Sequence, residues 1–488
     1  MIAVLSISIP LILHMILAIG FSLRVLYRKL EVNTTLAWIV ILFAIPFVGS
    51  VAYLFFGNYR LSRRRRKLNR AIQSSFQQAF NLPSLAHLTT DGMPERFRDL
   101  AISFHKETGF PVLSGNTYLI LTDPSQILHS MRQDIDQAQT TCSLEFYIVD
   151  PHGLVESVLM ALERAALRGV ACRILADDFG SRAFFRSTWP GRLSLAGVEI
   201  VRSLPVGMVG PISKRSDLRN HRKLLICDQT ATYLGSFNLI DPTLFKVSRH
   251  VGQWVDTMMR IEGPIVDAIS CVFNTDFLFD THVQVVSEDN YLLPCGPPRC
   301  VGPDQTGTMM QLLPSGPEMR RAHIYDFIVT AIFNAKHRVR VITPYFIPDP
   351  AIMLALTSAA MRGVSVEIIV PAKLDSRMAQ FAGQSTYDEL ISAGVAIQRF
   401  SAGLLHSKFV LIDDDMSVFG TVNVDPRSFY LNLELSVLIY GTKVNQDLDA
   451  IADSYLLSSI RLTAEQWNER SPVIRLMENL LRLASPLL

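Results

Sequence analysis

The stretch "LRNHRKLLICDQTATYLGSFN", Leu218–Asn238, sets His221, Lys223 and Asp228 around the apolar run Leu224–Cys227 and follows them with Gly235, Ser236 and Asn238. The stretch "LLHSKFVLIDDDMSVFGTVN", Leu404–Asn423, repeats the pattern with His406, Lys408, Asp413, Gly420, Thr421 and Asn423. His406 lies 185 positions after His221, and Asn423 lies 185 after Asn238. Six pairs at one offset mark a duplication.

The likeness extends outward. "AALRGVACRILADDFGSR" (Ala165–Arg182) resembles "AAMRGVSVEIIVPAKLDSR" (Ala359–Arg377), and "QWVDTMMRIEG" (Gln253–Gly263) resembles "NLELSVLIYG" (Asn432–Gly441). Asp256 and Glu434 each stand seven residues before the closing Gly. A strand-like run and a helical run precede each "RGV". The expected body is α/β, two tandem units of mixed sheet flanked by helices and related by a pseudo-twofold axis. The first unit occupies 114–290 and the second 309–488, with a Gly/Pro-rich linker at 291–308. Each unit carries half of a polar set, so one shared site at their interface is expected.

Residues two apart on a strand face the same way, which points His221 with Lys223 and His406 with Lys408. The unalternating runs "LLIC" and "FVLI" read as strands buried on both faces. Asp228 and Asp413 end those runs and are either site members or turn residues. Small residues at Gly235–Ser236 and Gly420–Thr421 would let a ligand reach backbone N–H groups, with Asn238 and Asn423 adding amide donors. Two His, two Lys, two Asn and two hydroxyls around one point suit a tetrahedral phosphate. One His can attack phosphorus while the other protonates the leaving oxygen. His and Asp are also metal ligands, but two ammonium groups would repel a divalent ion. No metal and no cofactor is expected.

The pattern H-x-K-x4-D followed by G-S/T-x-N, twice in one chain, resembles the phospholipase D superfamily. The wider match is to bacterial cardiolipin synthases and includes "LEFYIVD", "GSFNLIDP", "TPYFIPD", "GTVNVDPRSF" and the terminal "RLASPLL". Thr421, where Ser is commoner, is the one departure. The resemblance implies transfer of a phosphatidyl group from one phosphatidylglycerol to another with release of glycerol, through a phosphohistidine and without ATP. It implies attack by His221 and acid–base work by His406. Asp256 and Glu434 are expected to orient the imidazoles. Hydrolysis by a phospholipase D, a phosphatidylserine-synthase-like transfer, a nuclease and a non-catalytic lipid-binding scaffold are the competing readings. The membrane segments argue against a nucleic-acid substrate, and two intact motifs argue against a scaffold.

Mean hydropathy is +0.26, high for a soluble protein. Ile2–Leu23 and Leu36–Phe56 are each about 20 residues, the length of a bilayer-spanning helix. They are read as a transmembrane hairpin at 1–57, with Trp38 and Tyr53 as interfacial anchors and His14 packed against its neighbour helix. Arg24, Arg28 and Lys29 lie between the two spans. Arg60, Arg63, Arg64, Arg65, Arg66, Lys67 and Arg70 follow them, opening a basic juxtamembrane linker at 58–113. The larger cluster predicts a multi-pass protein of the bacterial inner membrane, its body cytoplasmic, its interhelical loop on the other side, and attraction to anionic lipid. Six cysteines without paired spacing read as reduced thiols. The tail "VIRLMENLLRLASPLL" reads as an amphipathic helix, either docked on the second half or lying on the membrane.

Overall fold

The computed structural model describes residues 2–28, 32–57, 93–205, 218–245, 251–281, 307–317, 319 and 322–482. The first half contributes strands β1 (Val112–Leu121), β2 (Thr141–Phe146), β3 (Ala171–Asp177), β4 (Glu199–Ser203), β5 (Lys223–Cys227), β6 (Ala231–Gly235), β7 (Trp254–Val255) and β8 (Met258–Glu262). The second contributes β9 (Thr308–Ser315), β10 (Arg338–Ile342), β11 (Ser365–Pro371), β12 (Ala396–Phe400), β13 (Leu404–Leu405), β14 (Phe409–Ile412), β15 (Met416–Gly420), β16 (Glu434–Tyr440) and β17 (Ser459–Arg461).

Fifteen of these form one sheet, ordered β17-β12-β11-β10-β14-β15-β16-β9-β1-β8-β6-β5-β2-β3-β4. Outward from the antiparallel β1–β9 pair the two halves run through corresponding strands, so the expected pseudo-twofold lies between β1 and β9. The parallel neighbours β2–β3 and β10–β11 are linked through the helices Val155–Leu167 and Pro350–Met361. Both helices end in the repeated Arg-Gly-Val, where Gly169 and Gly363 take φ of 90° and 88°, the left-handed geometry that glycine adopts without strain. Every residue of β5 and β14 is buried, as the unalternating runs require.

Several expectations change. Residues 95–108, assigned to the linker, form a helix that packs on the second half: Phe104 meets Phe327 at 5.4 Å, and Arg96 pairs with Asp413. Phe97, Ala101, Phe104 and Thr108 form its buried stripe at helical spacing. Cys142, Cys172 and Cys227 are free and buried, whereas Cys271 is disulfide-bonded, which corrects the reading of six reduced thiols. Sequence spacing cannot reveal a pair brought together only by folding.

At the N-terminus, α1 (Ile2–Tyr27) is one long apolar helix. The second apolar stretch is instead two short helices, α2 (Val32–Ala44) and α3 (Val48–Phe56), broken at Pro46. Trp38 and Tyr53 do not mark opposite ends of a span. Their rings meet at 5.3 Å, and both are buried. The C-terminal helix Pro472–Arg482 docks through a polar contact, with Glu478 buried against Arg470. Its apolar residues Val473, Leu476 and Leu480 face outward.

Candidate active site

The segment ahead of β5 leaves its own sheet and pairs with the other half: His221 N donates to Leu433 O at 2.9 Å, and Leu433 N donates to Arg219 O at 2.9 Å. Ahead of β14, β13 pairs in parallel with β7, and His406 N donates to Val255 O at 2.8 Å. Each histidine is thus carried to the carboxylate of the opposite half. His221 Nδ1 lies 2.8 Å from Glu434 Oε1, and His406 Nδ1 lies 2.6 Å from Asp256 Oδ1. Sequence supplied the partners as a set. The crossing is a property of the fold.

With Nδ1–H donated to a carboxylate, Nε2 of each neutral ring is left with its lone pair. Burial pushes both imidazoles down to about 4, partly opposed by Glu434 at His221; at His406 the Lys408 charge adds to the burial and Asp256 opposes it. Both rings are therefore neutral at pH 7. The two lysines share this enclosure. Burial lowers Lys223 to about 8, and burial with the Lys223 charge lowers Lys408 to about 7. Lys223 Nζ donates to His221 O at 2.7 Å and Lys408 Nζ to His406 O at 2.6 Å, leaving further ammonium hydrogens for an anion.

The hydroxyls do something other than expected. Ser236 Oγ donates to Asp256 Oδ1 at 2.6 Å, and Thr421 Oγ1 donates to Glu434 Oε2 at 2.6 Å. They hold the carboxylates that hold the histidines. Their backbone N–H groups are engaged by Thr257 O and Leu435 O, so these amides do not face a ligand. The glycines serve the sheet: a Cβ on Gly235 would stand 2.3 Å from Thr257 O, and one on Gly420 2.3 Å from Leu435 O. Asn238 Oδ1 accepts from Ile148 N at 3.2 Å, while Asn423 Oδ1 is buried without a hydrogen-bond partner among the described residues.

Asp228 and Asp413 are not brought to this centre. They sit at the far ends of β5 and β14, in left-handed turns at φ of 51° and 50°. Asp228 accepts from the amides of Gln139, Thr140 and Thr141; Asp413 accepts from those of Lys336, His337 and Arg338. Each ties a hairpin to the start of the neighbouring strand, β2 or β10. Of the two readings the sequence leaves open for Asp228 and Asp413, this geometry fits the turn.

Two aromatic contacts escaped the sequence reading. Trp254 packs on His406 at 4.3 Å, and Tyr147 meets His221 edge-on at 5.1 Å. Trp254 stands two residues before Asp256, the same-face spacing that could have flagged it. The matching residue of the second half is Asn432, whose Nδ2 donates to Glu434 Oε1 at 3.1 Å.

The duplicated α/β sheet with crossed His–carboxylate pairs defines a phospholipase D-type architecture. Residues 131–275 and 328–456 match the family described as "Cardiolipin synthase, PLD-like domain", and residues 16–58 match "Phospholipase_D-nuclease N-terminal". The chain is 36% identical over 478 residues to cardiolipin synthase A of Yersinia pseudotuberculosis, covering 97% of both chains, and equally so to that of Yersinia pestis. A phosphatidylserine synthase of Haemophilus influenzae superposes with a TM-score of 0.58 at 14% identity, over 81% of this chain and 100% of that one, which shows the shared fold. The chain belongs to the cardiolipin synthase family of the phospholipase D superfamily. It is an enzyme, a phosphatidyltransferase acting on membrane phospholipid.

Proposed function

We propose that this enzyme joins two phosphatidylglycerol molecules, with His221 as nucleophile and His406 as general acid and base. The observation that carries the reading is the pair of Nδ1-anchored histidines, one from each half, beside two buried lysines. In the first step His221 Nε2 bonds to the donor phosphorus, the bond from phosphorus to the headgroup glycerol oxygen breaks, and that oxygen takes a proton from His406 Nε2. In the second, a glycerol hydroxyl of the acceptor lipid gives its proton to His406 and attacks phosphorus, and the P–N bond to His221 breaks. One phosphodiester replaces another, so no energy source is needed. His406 is neutral at rest and must be charged to act as acid. An entering phosphate offsets the Lys408 and Lys223 charges that depress it, which favours the imidazolium.

Accessibility supports the division of labour. The His221 side chain is 12% exposed against 4% for His406, which lies under Trp254. A nucleophile must reach phosphorus, whereas an acid needs only the leaving oxygen. The basic run after residue 58 supports an inner-membrane enzyme with a cytoplasmic body. The outward apolar face of helix Pro472–Arg482, flanked by Arg475 and Arg482, suits contact with an anionic lipid surface close to the substrate.

The test is incubation of the purified enzyme in mixed micelles with phosphatidylglycerol and a metal chelator. Cardiolipin and free glycerol should appear in equal amounts. Phosphatidic acid as the main product would make it a phospholipase D instead, and activity restored only by one specific metal would remove the two-lysine phosphate site as the electrostatic agent.

A further inference from the structure

The N-terminal helices do not have the geometry of a two-span hairpin. At 1.5 Å per residue α1 is about 39 Å long, enough to cross a hydrocarbon core of about 30 Å. The 13-residue α2 is only about 20 Å long and the 9-residue α3 about 14 Å, so neither crosses. Among the described residues a single helix, Ile9–Tyr27, is long and apolar enough to span.

The short helices double back on one another. A Cβ on Gly49 would stand 2.4 Å from Ile41 O, so only glycine lets the start of α3 lie against the backbone of α2. The contacts with α1 fall into three levels. At the turn, Phe47 lies 5.8 Å from His14. Further along, Tyr53 meets both Phe21 and Trp38 at 5.3 Å. At the end of α3, Arg28 Nη1 donates to Gly57 O at 2.9 Å. Position along α1 therefore rises from 14 to 21 to 28 as position along the returning chain rises from 47 to 53 to 57. The chain leaves α3 at the level where it left α1. From His14 to Arg28 is about 21 Å of helix, so the turn lies inside the hydrocarbon, well short of the far side.

An irregular turn at that depth needs its freed backbone groups satisfied from within the protein. Breaking the helix at Pro46 removes the usual amide partner of Phe43 O. His14 Nε2 lies 3.4 Å from that oxygen, and His14 is buried. This gives a polar residue in the middle of an apolar span a specific task.

We propose that α2 and α3 form a re-entrant hairpin whose tip is closed by His14, so that among the described residues α1 alone crosses the bilayer. Arg24, Arg28 and Lys29 then lie on the same side as the seven basic residues that begin at Arg60 and as the catalytic body. All ten basic residues share one face, a fuller agreement with the positive-inside rule than the two-span reading, which exports three of them. The membrane partner of the hairpin is the lipid of one leaflet and the bilayer centre.

Only the naming of that side as cytoplasmic rests on the preceding section; the same-side relation stands on the hairpin geometry. The test places cysteine at Tyr27 or Leu195, each 91% exposed, and at Ile2, with the unsubstituted chain as blank. A membrane-impermeant maleimide is applied to spheroplasts and to inverted vesicles. Y27C and L195C should both react only in inverted vesicles, and I2C only in spheroplasts. Y27C reacting in spheroplasts while L195C reacts in inverted vesicles would establish two spans and overturn the proposal. Both Y27C and L195C reacting only in spheroplasts would uphold the hairpin and overturn the cytoplasmic assignment instead.

Discussion

His221 meets the edge of Tyr147 and keeps part of its ring accessible, while His406 is enclosed beneath Trp254. The duplication gave both halves the same His, Lys and carboxylate. It did not give them the same surroundings: Trp254 stands where the other half has Asn432. The enclosed ring is held in orientation by an aromatic face as well as a carboxylate. The open ring has a carboxylate that is itself held by the Asn432 amide. Near-symmetric halves can therefore divide a two-step reaction, with the open histidine on phosphorus and the enclosed one moving protons.

Exchange of the histidines should break this comparison most severely. His221→Ala removes the covalent route and should leave no cardiolipin formation. His406→Ala removes acid–base help, roughly 10²–10⁴ in rate, and should still form adduct from a donor with a good leaving group, such as a p-nitrophenyl phosphodiester. Acid-quenched mass spectrometry reads the difference. Adduct on His406 in His221→Ala, with none on His221 in His406→Ala, would reverse the roles. Because His221 must be neutral and His406 charged in the first step, and both titrate near 4 in the free enzyme, kcat/KM should fall below pH about 4 and decline again above it, more steeply beyond pH 7 to 8, where Lys408 and then Lys223 lose their protons. Bound phosphate stabilises the ammonium forms, so the alkaline limb of kcat should lie higher.

The carboxylates come next. Glu434→Gln and Asp256→Asn keep shape but remove the charge that selects the Nδ1–H tautomer. Because the pairing is crossed, Glu434→Gln, a change in the second half, should impair the nucleophile of the first. It should slow adduct formation by about 10²-fold or more, within the general acid–base range. Asp256→Asn should slow glycerol release and acceptor attack while the p-nitrophenyl donor still loads His221. If Glu434→Gln instead spares loading and Asp256→Asn abolishes it, the pairing acts within each half, and the crossed geometry does not govern the reaction.

The fold was legible where a pattern repeats. One offset of 185 exposed the duplication, and unalternating runs located β5 and β14. The site was legible as a set of residue types, since His, Lys and carboxylate recur in matched places. What the chain did not disclose depends on contacts between distant segments. Nothing in Glu434 or Asp256 says that each serves the other half; that follows from β13 pairing with β7 and from Leu433 pairing beside His221. The second apolar stretch was read by length alone, although Pro46 and Gly49 already carried the break and the close approach. Ser236 and Thr421 sit where a ligand contact is plausible by sequence, and only the strand register shows their hydroxyls turned to carboxylates.

The smallest effect on chemistry belongs to the aspartates at the far ends of the motif strands, where the halves differ in burial. Asp413 is 2% exposed and pairs with Arg96 from the helix Glu95–Thr108 as well as with three amides, whereas Asp228 is bound by Thr140 Oγ1 and three amides nearer the surface. Alanine in either place strands amide donors and puts a residue less suited than Asp into a left-handed turn. Each buried donor left unpaired costs about 1–3 kcal/mol. Asp413→Ala should therefore lose about 3 kcal/mol, because three amides lose their acceptor and Arg96 keeps only Asp415 of its two carboxylate partners, and Asp228→Ala less, about 1–2 kcal/mol. Chemical denaturation of the body, read alongside turnover at low temperature, measures both quantities. Turnover per folded molecule should stay within a few-fold of the unsubstituted enzyme while the denaturation midpoint drops, more for Asp413 than for Asp228. A large loss of turnover with an unchanged midpoint would return these aspartates to the catalytic set.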